Sequence, residues 1–133
     1  KTIIRGCNIH NAQQCGIQVT NHAAAIIENN EIHHNRFSGI EIRNSARPHL
    51  QGNTIYENVQ NGVYVHSAGE GTIENNKIFE NRFNGINAEG SVMISRNVIY
   101  RNVKRGVFHA ATTVVHDNNH VYNNILGDIA PKR

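Results

Sequence analysis

The sequence predicts an all-β fold, a right-handed parallel β-helix of about six coils, and three observations predict it. The 133 residues contain 28 Ile plus Val against 2 Leu, together with 21 Asn and 11 Gly. β-Branched side chains suit a pleated surface, and Asn and Gly tolerate tight corners, so this is strand-and-turn chemistry. The second observation is a repeat: Asn, then Ile or Val two residues on, then Asn three further, then Gly-Ile or Gly-Val. The third is strict alternation inside each repeat, as in Ile40 and Ile42 or Val63 and Val65, the period-two mark of a strand with one buried face.

Three segments carry the repeat in full: Asn30, Ile32, Asn35, Gly39, Ile40; Asn53, Ile55, Asn58, Gly62, Val63; and Asn76, Ile78, Asn81, Gly85, Ile86. Glycines 16, 39, 62 and 85 recur every 23 residues, and the step to Gly106 is 21. A degenerate first copy (Cys7, Ile9, Ala12, Gly16) and a last copy (Asn119, Val121, Asn124), with Asp128 in the glycine slot, complete the six. Such a unit holds three short strands and three corners, and each strand can pair only with its counterpart one repeat away. A solenoid hydrogen-bonded along its axis results, right-handed by the crossover rule for parallel strands.

Two asparagine columns then acquire a role. Asn30, Asn53, Asn76, Asn97 and Asn119 fall in one, and Asn35, Asn58, Asn81, Asn102 and Asn124 in the other. An amide turned inward at a corner can bond backbone there and its neighbour one coil away, so both columns are expected to be structural ladders. The tail from Gly127 to Arg133 is expected to cap one end of the rod.

Residues 1–133 read as one domain, and a start at Lys1 within a repeat reads as a piece of a longer chain. The longest apolar run, Ala23 to Ile27, is far shorter than a membrane span needs. Cys7 and Cys15 lack zinc-thiolate spacing and are expected to be reduced, buried thiols, which favours an intracellular compartment over a secreted or periplasmic one. A net charge of only +3, without a nucleic-acid-binding motif, argues against nucleic acid as a partner. No set of histidines and carboxylates has metal-ligand spacing, so no metal and no cofactor is expected.

Stacked coils turn outward positions into columns. Directly after the repeated Ile or Val come His10, His33, Tyr56, Phe79, Tyr100 and Tyr122, a stripe that is either a structural ladder or a platform for a peptide side chain or sugar ring. The next column runs His34, Glu57, Glu80, Arg101. Glu57 and Glu80 on adjacent coils would stand roughly 5 Å apart, the spacing a retaining glycosidase needs, which makes them the best catalytic candidates; a charge-compensated surface ladder is the plainer reading. Arg96, Arg101, Lys104 and Arg105 form a basic run suited to acidic groups on a partner.

The stretches GIQVTNHAAAIIENNEIHHNRFSGIEI (16 to 42) and GVYVHSAGEGTIENNKIFENRFNGI (62 to 86) resemble parallel β-helix repeats of the carbohydrate-binding and sugar-hydrolase (CASH) type, and more closely those of F-box proteins carrying such repeats. There, coils entered through a Ser-x-x-Pro-like turn alternate with coils entered through Gly-x-Gly. Ser45 to Pro48 and Gly69 to Gly71 fit, and Arg-Phe-x-Gly recurs at Arg36 and Arg82, two coils apart. NosD-type periplasmic proteins, polysaccharide lyases and alginate epimerases use related coils. The F-box resemblance implies a non-enzymatic module that recognises a protein substrate or peptide for a ubiquitin ligase. Neither F-box helices nor a Cys/His-rich zinc finger lies in these residues, so ligase docking would not reside here. The alternatives are a polysaccharide-binding or polysaccharide-cleaving β-helix, with a glycan as partner, and a solenoid that only spaces its neighbours.

Overall fold

A computed structural model describes residues 2–133. Eighteen short parallel strands, three per coil, form three six-stranded sheets in which each strand bonds its counterparts one coil away. The coil from residue 26 to 42 is representative: Ile26–Glu28 lies in the first sheet, Glu31–His33 in the second and Ile40–Ile42 in the third. Equivalent positions pair directly, as in Ile27 with Leu50, Ile32 with Ile55 and Ile40 with Val63. Among the described residues no helix is long and apolar enough to cross a membrane.

The strand alternation decides what faces the axis. Ile27, Leu50, Ile73 and Ile94 line the first sheet, Ile32, Ile55, Ile78 and Ile99 the second, and all are fully buried. The third sheet contributes two inward positions per strand, as at Ile40 and Ile42 or Val63 and Val65. Like side chains therefore stack on like along the axis, giving one continuous aliphatic core.

Both predicted asparagine columns are buried ladders. Asn53 Oδ1 accepts from the Asn30 backbone N–H at 3.1 Å and from Asn30 Nδ2 at 3.0 Å, while Asn53 Nδ2 donates to the Ile27 carbonyl at 2.9 Å. The same bonds link Asn35, Asn58 and Asn81 at the second corner. A shorter ladder not foreseen from the repeat occupies the turn before the third sheet, where Asn61 Oδ1 accepts from the Asn84 N–H and Asn84 Oδ1 from the Arg105 N–H.

The glycine column belongs to the same close stacking. A Cβ on Gly62 would meet Ile78 Cγ2 at 2.6 Å and the Gly85 carbonyl at 2.7 Å, so the coils approach too closely for a side chain. The 21-residue step arises at the third corner: Val65 pairs with Ala88 and Glu70 with Ser91, so two residues are lost between them and the sheets stay in register.

Two expectations are corrected. The tail does not cap the rod: Gly127–Pro131 pairs in parallel with Arg105–His109 as the outermost strand of the third sheet, leaving Ile125, Leu126 and Ile129 exposed. Asp128 does take the glycine slot, and its carboxylate accepts from Asn124 Nδ2 at 3.1 Å, ending that ladder. Both cysteines are free, but Cys7 is exposed and Cys15 only half-buried, its thiol pushed up first by burial and then by Glu41.

Asn58→Ala is expected to lower the unfolding free energy by about 3 kcal/mol, because it leaves the buried Asn35 N–H without its acceptor. Asn118→Ala, which removes an acceptor from the exposed Arg96 N–H, should cost less than about 1 kcal/mol. Chemical denaturation measures both, and equal losses would contradict a buried-ladder role.

Candidate functional site

The aromatic column forms as a single stack along the second sheet. Ring centroids are 5.1 Å apart for His10 and His33, 4.8 Å for His33 and Tyr56, and 5.1 Å for Tyr56 and Phe79. Phe79 to Tyr100 is 5.0 Å and Tyr100 to Tyr122 is 5.2 Å, all within 10° of coplanar. Each inner ring has both faces covered by its neighbours and offers a ligand only its edge. The Tyr56 hydroxyl donates to the Glu31 carboxylate, and that bond pushes its pKa up to about 12.

His33 lies within this stack, its Nε2 against Asn8 Oδ1 at 2.8 Å and its Nδ1 against His34 Nδ1 at 2.6 Å. Burial first, then the neighbouring His34, holds the imidazole below its ordinary value of 6.5. A lowered folded-state pKa means that protonation favours the unfolded chain, so this contribution to stability is present above 6.5 and lost as pH falls below it.

The charged column sits at the corner between the second and third sheets. His34 Nε2 lies 3.1 Å from Glu57 Oε2, and Arg101 Nη1 3.9 Å from Glu80 Oε2. With Asn11, Val59, Arg82 and Val103 these residues line an open hollow of about 650 Å³. The backbone here is left-handed, with φ of 54° at His34, 53° at Glu57, 56° at Glu80 and 53° at Arg101. At the equivalent place in the preceding corner stand Gly6, Asn29, Gly52 and Asn75, residues that tolerate this conformation, followed by Arg96. Bulky side chains are thus held in strained geometry on four successive coils of one corner, where the other uses Gly or Asn on four coils and Arg96 on the next. Glu57 and Glu80 occupy adjacent coils as their spacing predicted, but each is about half exposed and has a partner on its outer side, the His34 imidazole for Glu57 and the Arg101 guanidinium for Glu80. Neither is sheltered from water as a glycosidase acid must be.

The basic run does not form one patch. Arg96 lies at the far end of the strand Val98–Tyr100 from Arg101 and pairs with Glu74. Lys104 lies over the Phe83 ring at 4.6 Å and Arg105 over Phe108 at 5.5 Å. Among the described residues, no group of three His, Cys, Asp or Glu is placed to hold a metal ion.

A second site was not visible in the repeat. Gln18, Glu41, Tyr64, Asn87 and Phe108 pair in register as the outward column of the third sheet. They form the floor of a trough. One wall is the corner column Gln14, Phe37, Gln60, Phe83 and Lys104, joined by backbone bonds from Phe37 N to Gln14 O, Gln60 N to Phe37 O, Phe83 N to Gln60 O and Lys104 N to Phe83 O. The other wall begins with Arg43 and His66, and the hollow between the walls, about 280 Å³, is lined by residues from Gln14 to His66.

Inside the trough Glu41 is only 8% exposed although it faces outward. Its carboxylate accepts from Arg43 Nη2 at 3.1 Å and lies 3.3 Å from His66 Nε2. Arg43 Nη2 is also 3.1 Å from His66 Nε2, which fits the tautomer in which that nitrogen accepts. The Tyr64 ring stacks on His66 at 4.1 Å, and burial followed by Glu89 pushes its hydroxyl pKa up. Arg43 Nε and Asn87 Oδ1 are buried without a hydrogen-bond partner. Amides, a carboxylate, a guanidinium and aromatic rings in one elongated depression can donate to and accept from hydroxyl groups while covering apolar faces. Sequence reasoning missed these residues because glutamines and a lone Glu-x-Arg look like ordinary solvated strand positions. The signal available was their 23-residue spacing, Gln18, Glu41, Tyr64.

The chain matches the family described as "Right handed beta helix region" over residues 1–130 and belongs to it. The crystal structure of the periplasmic alginate epimerase AlgG is similar, with a TM-score of 0.77 at 22% identity; the match covers 86% of this chain and 27% of that one. At that identity the likeness shows the fold. No curated protein matches the sequence significantly.

Glu80→Gly is expected to stabilise the fold by about 0.5–1 kcal/mol, since relief of the left-handed strain exceeds the value of its exposed ion pair. Chemical denaturation measures this change, and a loss of stability would show that the ion pair outweighs the strain. Acidification from about pH 7.5 to about pH 5 should lower the melting temperature of the native chain more than that of His33→Phe, which keeps the stack without a titrating ring. Equal losses would contradict the His33 assignment.

Proposed function

We propose that this chain is the glycan-binding part of a polysaccharide-acting β-helix protein, and that the trough on the third sheet receives the sugar chain. The observation that carries this is the composition of the trough: Gln14, Gln18 and Gln60 beside the Glu41, Arg43, His66 cluster, with Phe37 and Tyr64 alongside. Vicinal hydroxyls match such paired amides and acceptors, and ring faces match the apolar side of a sugar. The coils rise by about one strand spacing, roughly 4.8 Å, so each coil can offer its own groups to about one sugar of a polymer lying along the trough. The epimerase of similar fold is, by its title, an alginate enzyme of the periplasm, which supports a polysaccharide ligand and an extracytoplasmic setting over the intracellular one.

Protein recognition of the F-box type is the second reading. The exposed apolar residues Val59 and Val103 beside the charged corner favour it, with the edges of the His10 to Tyr122 ladder as a contact surface. The family match is to the β-helix in general and adds nothing specific to F-box proteins.

An array of linear polysaccharides, including alginate, polygalacturonate, xylan and cellulose fragments, tests the proposal. Arg43→Ala is expected to weaken retention about tenfold or more, as loss of a charged hydrogen-bond donor does, whereas Glu57→Gln with Glu80→Gln should leave it unchanged. Retention unaffected by Arg43→Ala, or no glycan retained while a peptide is, would overturn it. Loss of a measured sugar-cleaving activity in Glu80→Gln would instead restore Glu57 and Glu80 as catalytic groups.

A further inference from the structure

Exposed apolar side chains gather at the corner between the second and third sheets. Phe37, Val59, Phe83 and Val103 are 38%, 44%, 41% and 45% exposed there, and Phe83 keeps that exposure with Lys104 seated against its ring at 4.6 Å. Among the described residues the other exposed large apolar side chains, Met93 apart, stand on the first and last of the six coils. Two outward columns follow the ladder asparagine at this corner. One reads Arg36, Val59, Arg82, Val103, Ile125 and the next Phe37, Gln60, Phe83, Lys104, Leu126, set one coil apart by bonds such as Val59 N to Asn35 O and Gln60 N to Phe37 O. Apolar groups thus alternate between the columns, and the alternation is symmetric about Phe83: Val59 and Val103 lie one coil away, Phe37 and Leu126 two. The charged column is antisymmetric about the same coil, with Glu57 one coil before Glu80 and Arg101 one coil after. Arg101 is available to a partner, since its contacts are Glu80 at 3.9 Å and the face of the Tyr100 ring at 5.1 Å.

A surface that is palindromic in its apolar groups and reversed in its charges is complementary to itself turned end for end. A twofold axis across the rod at Phe83 lays like column over like column: Phe83 on its own copy, Val59 on Val103, Phe37 on Leu126, and Glu57 on Arg101 at both ends. At the axis two Glu80 carboxylates and two Arg82 guanidinia neutralise one another. A slip of one coil either way sets Val59 or Val103 against Arg82. A parallel pair sets Arg101 against Lys104 on both sides of its axis and Arg36 against Arg36. We propose that this corner is the contact between two copies of this chain, packed antiparallel about Phe83. The open hollow of about 650 Å³ beside Val59 and Val103 gives the second copy's side chains room to enter. The proposal does not rest on the glycan reading, and the trough floor, on the outward face of the third sheet, stays outside the overlap. Five coils by three columns make a footprint of about 20 Å by about 10 Å. That is at the small end for specific contacts, so the dimer is expected to be weak, half formed at about 0.1 mM.

Sedimentation equilibrium from about 10 µM to about 1 mM tests this, a range chosen for a small contact area. The native chain should pass from 14.9 kDa toward twice that mass. Glu57→Arg alone and Arg101→Glu alone put like charges at both outer contacts, and each should weaken association about tenfold or more. An equimolar mixture of the two variants should regain it, because every such contact then joins an arginine to a glutamate. If either variant fails to fold by its melting curve, Val59→Lys with Val103→Glu makes the same comparison at the facing valines. A mass of 14.9 kDa at every concentration overturns the proposal. So does association that both single variants retain, or that grows beyond two copies, as stacking by the strand edges of the end coils would produce. A mixture no more associated than its components overturns the antiparallel pairing.

Discussion

The structure depends on how its corners satisfy buried backbone polarity. Each coil must turn three times while the strands remain in register with the coils above and below, and a turn leaves N–H and carbonyl groups pointing inward where water is excluded. One asparagine at each of the first two corners meets this need: its oxygen accepts from the preceding coil's main chain and amide, and its nitrogen donates to a carbonyl and to the next asparagine. Since every amide holds two coils at once, the ladders also lock register. Everything outward-facing inherits that register, which is why side chains 23 residues apart become neighbours.

The corners also show how a repeat separates structural from variable positions. The residue before most ladder positions adopts left-handed backbone geometry. At the first corner it is Gly6, Asn29, Gly52 and Asn75, the inexpensive solutions, and then Arg96. At the second it is His34, Glu57, Glu80 and Arg101, held there by the ladder beneath and by contacts along the column. The third corner carries no such ladder and absorbs changes of length, losing two residues between Ala88 and Ser91 without disturbing either neighbouring sheet.

Most of the fold was legible because its determinants are periodic. The asparagine and glycine columns, the inward Ile and Val, and the aromatic stack all follow from spacing alone. The tail was misjudged because Gly127 to Pro131 departs from the consensus letters, yet its backbone still pairs with the strand Arg105–His109. The basic run looked like one surface in linear sequence, but Arg96 and Arg101 flank a strand and face different corners. The trough was hidden for a different reason. Its residues are chemically unlike from coil to coil, so a search for identical letters passes over Glu41, Arg43 and His66, and only their burial and mutual distances reveal the site.

On the proposed glycan reading the sugar chain lies on the outer surface of the third sheet, separate from both the aromatic column and the charged corner that the sequence offered. Residue-resolved amide NMR during titration with a linear oligosaccharide tests this most directly. The account predicts perturbations running along the trough, at Gln18, Phe37, Glu41, Gln60, Tyr64 and His66. Perturbations centred on His34, Glu57, Glu80 and Arg101, with the third sheet silent, would contradict it.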